Sequence, residues 1–190
     1  MNNPSITIIT PTYNRRQVLA RAIDSVRGQS LTDYEHIIVD DGSNDATGEM
    51  VAGYNDERIR YFELPRRSGA NVARNLGIEK ARAPVLSFLD SDDQYEPFRL
   101  EHALATLAGN PQVPLMLSSF VVKREQGPAA AVNTAGIVDG DRFERALAWR
   151  LVHIAGTSIT ARRDVVAQVG GFNPKLRRMQ DRDFLLRMAC

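Results

Sequence analysis

The sequence predicts an α/β fold: one mostly parallel, mixed sheet flanked by helices. Three observations carry this expectation. Over residues 1–109 apolar runs of strand length alternate with segments of helical period, the pattern of right-handed βαβ units. Two of the runs, His36-Ile37-Ile38-Val39 and Ala83-Pro84-Val85-Leu86-Ser87-Phe88-Leu89, lack the alternation of a half-exposed strand, as buried central strands do. Both end abruptly in acids, Asp40-Asp41 and Asp90-Ser91-Asp92-Asp93, and the carboxyl ends of strands are where open α/β sheets bind ligands.

The elements follow in order. Ile6–Thr10 is the first strand, running into Pro11-Thr12-Tyr13-Asn14-Arg15, where Tyr13 either stacks on a base or plugs the core beneath the first helix. That helix begins after Asn14, buries Leu19, Ala22, Ile23 and Val26, and stops at Gly28. Ser43 is placed to cap a second helix through Met50 and Val51. Ile59–Leu64 reads as a third strand, and Val72, Ala73 and Leu76 mark a third helix after the turn Pro65–Gly69. A fourth helix opens at Pro97 and carries Leu100, Leu104 and Leu107 before Gly109. Beyond it the rhythm breaks: Leu115–Val122 reads as a strand, Gln126–Thr134 as a loop or mobile hairpin, Gly156–Arg163 as a short strand, and Val169–Pro174 as a tight turn whose glycines permit close backbone approach.

With 190 residues and 43% hydrophobic content the chain fits one domain. Lys and Arg number 24 against 23 acids, and the formal charge of +1 gives no nucleic-acid signal. No apolar stretch reaches membrane-spanning length, and Met1-Asn2-Asn3-Pro4 does not have the pattern of a signal peptide, so a cytoplasmic location is expected. The only cysteine is Cys190, which agrees with a reducing compartment. From Arg162 to Arg187 seven Lys or Arg face three Asp, an excess able to meet anionic lipid or diphosphate, so peripheral membrane association stays open.

The carboxylates hold the chemistry. Several within four residues repel one another unless a cation sits among them, and hard oxygen ligands suit Mg²⁺ or Mn²⁺ held jointly with substrate phosphates. The alternative is an acidic strand-to-helix turn. Asp181 shares the i, i+3, i+4, i+7 spacing with Phe184, Leu185 and Met188, so it lies on the inward face of a helix near its start, as a working carboxylate or as an N-cap or first-turn acid stabilised by the helix dipole. Asp183 suits a surface pair with Arg187 four residues on. Arg66 and Arg67 are able to reach a phosphate but read first as solvent-facing, His153 reads as a core or edge histidine, and Trp149 as packing or, if exposed, as a stack for an acceptor sugar.

The ordered set Pro11–Arg15, Val39–Ser43, Gly69-Ala70-Asn71-Val72-Ala73-Arg74-Asn75, Leu89–Asp93, Gly170-Gly171-Phe172 and Gln180-Asp181-Arg182-Asp183 strongly resembles family 2 glycosyltransferases over nearly the whole chain. The resemblance implies a Rossmann-like GT-A fold and inverting, metal-dependent transfer from a nucleotide-sugar, most often a UDP-sugar, to a saccharide or lipid-linked acceptor, in polysaccharide or glycan synthesis. It divides the domain into a nucleotide-sugar half, 1–109, and an acceptor half, 110–190, truncated at its C-terminus. Carried over by position, Pro11 and Tyr13 border the base, Asp41 accepts the N3 hydrogen of uracil and Arg74 lies near the nucleotide. Asp90 contacts the ribose or metal, Asp92 ligates the Mn²⁺ or Mg²⁺ ion, and Asp181 is the general base. Gln180 stands where the family usually has Glu, and the Gln-x-x-Arg-Trp motif of processive members is absent.

Rivals come from other classes. A receiver domain carries its paired acids after the first strand, where this chain has Pro11-Thr12-Tyr13, and an aspartyl-phosphate phosphatase would want Thr where Gln94 stands. A catalytically silent nucleotide-sugar-binding module is the stronger alternative, given Gln180.

Overall fold

The computed structural model describes residues 3–122, 130–132, 140–148 and 153–189. Its strands are β1 (Ile6–Thr12), β2 (Tyr34–Asp40), β3 (Ile59–Glu63), β4 (Val85–Phe88), β5 (Leu115–Leu117), β6 (Phe120–Val122), β7 (Ala130–Val132) and β8 (Ile159–Arg162). The helices are α1 (Arg16–Arg27), α2 (Thr47–Ala52), α3 (Ala70–Lys80), α4 (Arg99–Gly109), α5 (Gly140–Ala148), α6 (Arg163–Gln168) and α7 (Gln180–Ala189). Six strands form a mixed sheet in the order β3-β2-β1-β4-β8-β5, with β1 to β4 parallel and β8 antiparallel to both neighbours.

This order fixes where a ligand can sit. The chain steps from β1 to β2 to β3 in one direction, then crosses to the other side of β1 to make β4. The crevice at such a reversal opens outside the carboxyl ends of the two strands that flank it, here β1 and β4. Thr12 pairs with Asp40 at the end of the β1–β2 ladder, whereas β4 last pairs at Ile9↔Phe88, so β1 and β2 overhang the start of the acid run.

Side chains alternate across the central strands. Ile6 and Ile8 face a core built with Val26, Tyr95, Leu100 and Leu107; Ile9, Ile37, Val39 and Phe88 face another that includes Phe172, Phe184 and Leu185. Phe88, Phe172 and Phe184 interlock, with Phe172 stacked on Phe184 at 4.2 Å and edge-on to Phe88 at 5.1 Å, which braces α7 and the turn before it against β4. His36 is wholly buried inside the sheet layers, with Nε2 2.9 Å from the Thr10 hydroxyl and Nδ1 without a partner. No helix among the described residues is long and apolar enough to cross a membrane.

Helix α1 has the bounds and buried face that its sequence predicts. Four expectations about secondary structure are corrected. Ser43 does not cap α2: Ala46 precedes that helix in a left-handed conformation (φ 60°), and the Ser43 hydroxyl accepts the Asn14 N–H at 2.8 Å, because the turn is used to knit the exits of β1 and β2 together. Pro97 lies in the turn before α4, which begins at Arg99. The stretch 115–122 is two strands, since β5 pairs with β8 while β6 pairs with β7. Gly156–Ser158 is a 3₁₀ turn, and only then does β8 start. His153 is exposed and not a core residue. Trp149, Cys190 and most of the Gln126–Thr134 segment lie outside the described residues.

Candidate active site

The two acids that end β2 do different things. Asp40 is a turn builder, accepting the Ser43 N–H and the Tyr61 hydroxyl at 2.8 and 2.7 Å. Asp41 takes the Ser68 N–H at 2.6 Å and the Gly69 N–H at 2.8 Å, which fixes the entry to α3; each oxygen keeps a second lone pair for a ligand. Tyr13 is not a core plug. It leaves β1 half-buried, with the Arg67 guanidinium 4.4 Å from its ring centroid, while Pro11 is buried in the ladder beside Val39. Arg66 and Arg67 are exposed, as expected.

At the end of β4, Asp90 accepts Arg74 Nη2 at 2.6 Å and its N–H donates to the Thr157 hydroxyl at 3.1 Å. Arg74 is buried, with its guanidinium 5.2 Å from the Phe172 ring centroid. Gly156 lets the 3₁₀ turn pack on this pair: a Cβ there would lie 3.2 Å from Asp90 Oδ2 and 3.3 Å from Arg74 Nη2. Burial raises the Asp93 pKa above the ordinary aspartate value, with the Thr157 hydroxyl opposing and Asp90 and Asp92 adding. Asp92 is the outlier of the run. Its side chain is 51% exposed and, among the described residues, is held only by Arg15 Nη1 at 2.7 Å, itself 49% exposed, so the pair is readily exchanged.

That donor set fits a hard divalent cation. Among the described residues no three His, Cys, Asp or Glu side chains converge on one point, so a cation at Asp92 would complete its shell from substrate phosphates and water, the usual arrangement for Mg²⁺.

Asp181 lies in the first turn of α7, on the helix face that also buries Phe184, Leu185 and Met188. Its Oδ1 is buried without a hydrogen-bond partner. Burial raises its pKa above the ordinary aspartate value, with the Arg74 guanidinium opposing and the Asp90 carboxylate adding. Asp181 is not the N-cap, since Met179 occupies the position before α7; its place in the first turn is also one where the helix dipole favours an acid. Asp183 does pair with Arg187 at 2.8 Å, yet Arg187 also donates to Val169 O and Gly171 O, which makes the pair a brace for the glycine turn.

The match to known proteins decides the family. The model for glycosyl transferase family 2 matches residues 7–170. The chain belongs to glycosyl transferase family 2. It is similar to the GalNAc(5)-diNAcBac-PP-undecaprenol beta-1,3-glucosyltransferase of Campylobacter jejuni, 37% identical over 107 residues, which are 55% of this chain and 33% of that protein. Among solved structures, S. aureus TarS 1-349 in complex with UDP-GlcNAc superposes with a TM-score of 0.83 at 21% identity, covering 97% of this chain and 53% of that one. Mannosyltransferase PcManGT from Pyrobaculum calidifontis, in complex with GDP-Man and Mn²⁺, gives 0.72 at 22% identity, covering 99% and 52%. The GT-A fold is therefore as the sequence predicts. The chain spans less than half the length of the curated relatives it matches.

Several residues that hold this candidate site together had no assigned role in the sequence. Asn75 bonds Phe172 twice, donating to its carbonyl at 2.7 Å and accepting its N–H at 2.8 Å, and Asn71 donates to Asn173 O and Leu176 O. Two asparagines four apart on α3 thus carry the segment that delivers Asp181. The available signal was that Asn71, Arg74 and Gly77 share one helix face, which the structure buries along with Ala73. Gly171 sits at φ +71°, and a Cβ there would come 2.6 Å from Asn75 Oδ1. Gly171→Ala is therefore expected to cost about 1–3 kcal/mol, read as a lower urea midpoint, and an unchanged midpoint would mean that the turn relaxes freely.

Two cavities border these elements. One, of about 590 Å³, is bounded by Asn14, Arg15, Asp45 and Asp92. The other, of about 730 Å³, lies between the start of α3 and the loop before α7, and Gln180 borders it.

Proposed function

We propose that the chain transfers a sugar from a nucleotide-sugar, a UDP-sugar by preference, to a hydroxyl of a saccharide or lipid-linked acceptor, with inversion, in cell-surface glycan synthesis. The observation that carries this reading is the unpartnered buried carboxylate oxygen of Asp181, set beside the Arg74–Asp90 pair at the switch-point crevice. Family membership, a relative named as a glucosyltransferase and fold neighbours holding UDP-GlcNAc or GDP-Man support it.

In this reading Asp41 and Tyr13 bind the base edge and face, with Pro11 behind them, and Arg74 holds Asp90 oriented toward the ribose. Asp92 would hold Mn²⁺ or Mg²⁺, which when bound neutralises charge on the departing diphosphate as a Lewis acid. Asp181 accepts the proton of the acceptor hydroxyl as that oxygen attacks the anomeric carbon. The hydroxyl displaces the nucleoside diphosphate directly, so the configuration inverts. The Phe88–Phe172–Phe184 cluster and the two asparagine ties keep the base from drifting by the ångström that such chemistry does not tolerate.

Transfer or hydrolysis of a labelled UDP-sugar, measured beside UDP binding, separates an enzyme from a silent binding module. UDP binding is expected to need Mn²⁺ or Mg²⁺, and Asp92→Ala to weaken it about tenfold, the loss of one charge-assisted contact. Calorimetry returning the same UDP affinity with and without chelator would sink the metal role.

A further inference from the structure

We propose that the cavity of about 730 Å³ between the start of α3 and the loop before α7 receives an anionic group, a carboxylate or phosphate, carried by one of the saccharide substrates. The inference rests on the transferase reading and deepens it by naming the charge class of a substrate.

Three cations line this cavity: Arg67 from the turn after β3, and Lys175 and Arg177 from the loop. None has a carboxylate partner among the described residues, and no acid is among the lining side chains. The nearby acids make no ion pair with these cations among the described residues. Asp41 accepts two backbone N–H groups, Asp183 pairs with Arg187, and the residue beside Asp181 that borders the cavity is the neutral Gln180.

The loop cations do not hang free, because Asn71 ties Asn173 O and Leu176 O to α3 on either side of Lys175. Met179, at φ 60° and 53% exposed, closes the same loop in a conformation that a non-glycine residue adopts at some cost. Like charges gathered around one cavity repel, and the positive end of α3 adds to the same potential. An anion relieves both.

The diphosphate of the donor is not the group that fits. Asp92 and Arg15 border the other cavity, and neither they nor Asp90 line this one. What remains near Gln180 and Asp181 is the sugar being moved or the acceptor receiving it. A neutral Gln beside the base leaves the positive charge of the loop unopposed there.

The test is calorimetry on the chain with saturating Mn²⁺. UDP-glucose is compared with UDP-glucuronic acid, and, with UDP already bound, glucose with glucose 6-phosphate. The anionic member of one pair is expected to bind about tenfold tighter, the sum of a few screened surface contacts. The pair that shows the preference identifies its carrier as donor sugar or acceptor. The preference is expected to collapse in a Lys175→Gln, Arg177→Gln double variant and in Gln180→Glu, with UDP affinity within about twofold of wild type, and to fade in molar salt.

Equal affinities within both pairs overturn the proposal, as does a preference that survives both variants. Failure of the transferase reading is seen separately, as absence of UDP binding. In that event glucose 6-phosphate against glucose, titrated without nucleotide, still decides the cavity.

Discussion

Asp181→Asn is expected to lower sugar transfer about a hundredfold or more while leaving UDP and metal binding nearly unchanged, the signature of a lost proton acceptor. Asn keeps the size of the side chain but cannot take a proton at neutral pH. The structure adds a second expectation. A desolvated carboxylate whose Oδ1 has no hydrogen bond opposes folding when ionised, so the Asn variant should melt no lower than wild type at pH 7. Lost activity with kept or raised stability is what separates a functional acid from a structural one. In the wild type the acid limb of the rate profile should fall with a pKa above the ordinary aspartate value, because only the ionised form is a base, and that limb should vanish from the residual activity of the variant. Full transfer by the folded variant would rule out the base assignment, and lost UDP binding would point to a role in shaping the crevice.

The parts of the fold legible in the sequence were those in which one physical signal dominates. Unbroken apolar runs ending in acids gave the central strands and the acids at their carboxyl ends, and helix α1 announced itself by period and by its closing Gly28. The Asp181 face was readable because a carboxylate stood on an apolar stripe. What stayed hidden depends on partners distant in sequence. Asn71 and Asn75 look like ordinary helix-surface residues until the segment 172–176 arrives about a hundred positions later to be held by them. Thr157 reads as a strand residue, yet it serves the Asp90 N–H and the Asp93 carboxylate. The two acids of β2 are identical as letters and adjacent, and only their opposite directions on a strand make Asp40 a turn builder and leave Asp41 to the entry of α3. Ser43 misled because a hydroxyl near a helix start has a local and a non-local option, and here Asn14 claims it.

Acid should destabilise the fold through His36, well above the pH at which ordinary carboxylates titrate. The ring is wholly buried, and desolvation, slightly opposed by Asp56, lowers its pKa from 6.5 to about 3. The sign follows from linkage. Above pH 6.5 the ring is neutral in both states and costs nothing; below it the unfolded chain takes up a proton that the folded chain refuses, so stability falls by about 1.4 kcal/mol per pH unit until the folded pKa is reached. Across the window from pH 6.5 to 4 the loss amounts to several kcal/mol, a large part of what a domain of this size has. Asp93 and Asp181, whose pKa values are raised, act in the opposite direction, gaining stability as they protonate, while Glu35, Asp45 and Asp56, whose pKa values are lowered, add to the loss toward the acid end, so the total slope does not report His36 alone. His36→Gln isolates it: Gln can keep a hydrogen bond to the Thr10 hydroxyl and has nothing to titrate. Urea unfolding of both proteins at pH 7 and pH 4.5 should show the wild type losing more than the variant by about 2 kcal/mol or more, the shift expected over that span. Equal losses would mean that the ring finds a proton-tolerant environment without unfolding, and the buried neutral state would have to be abandoned.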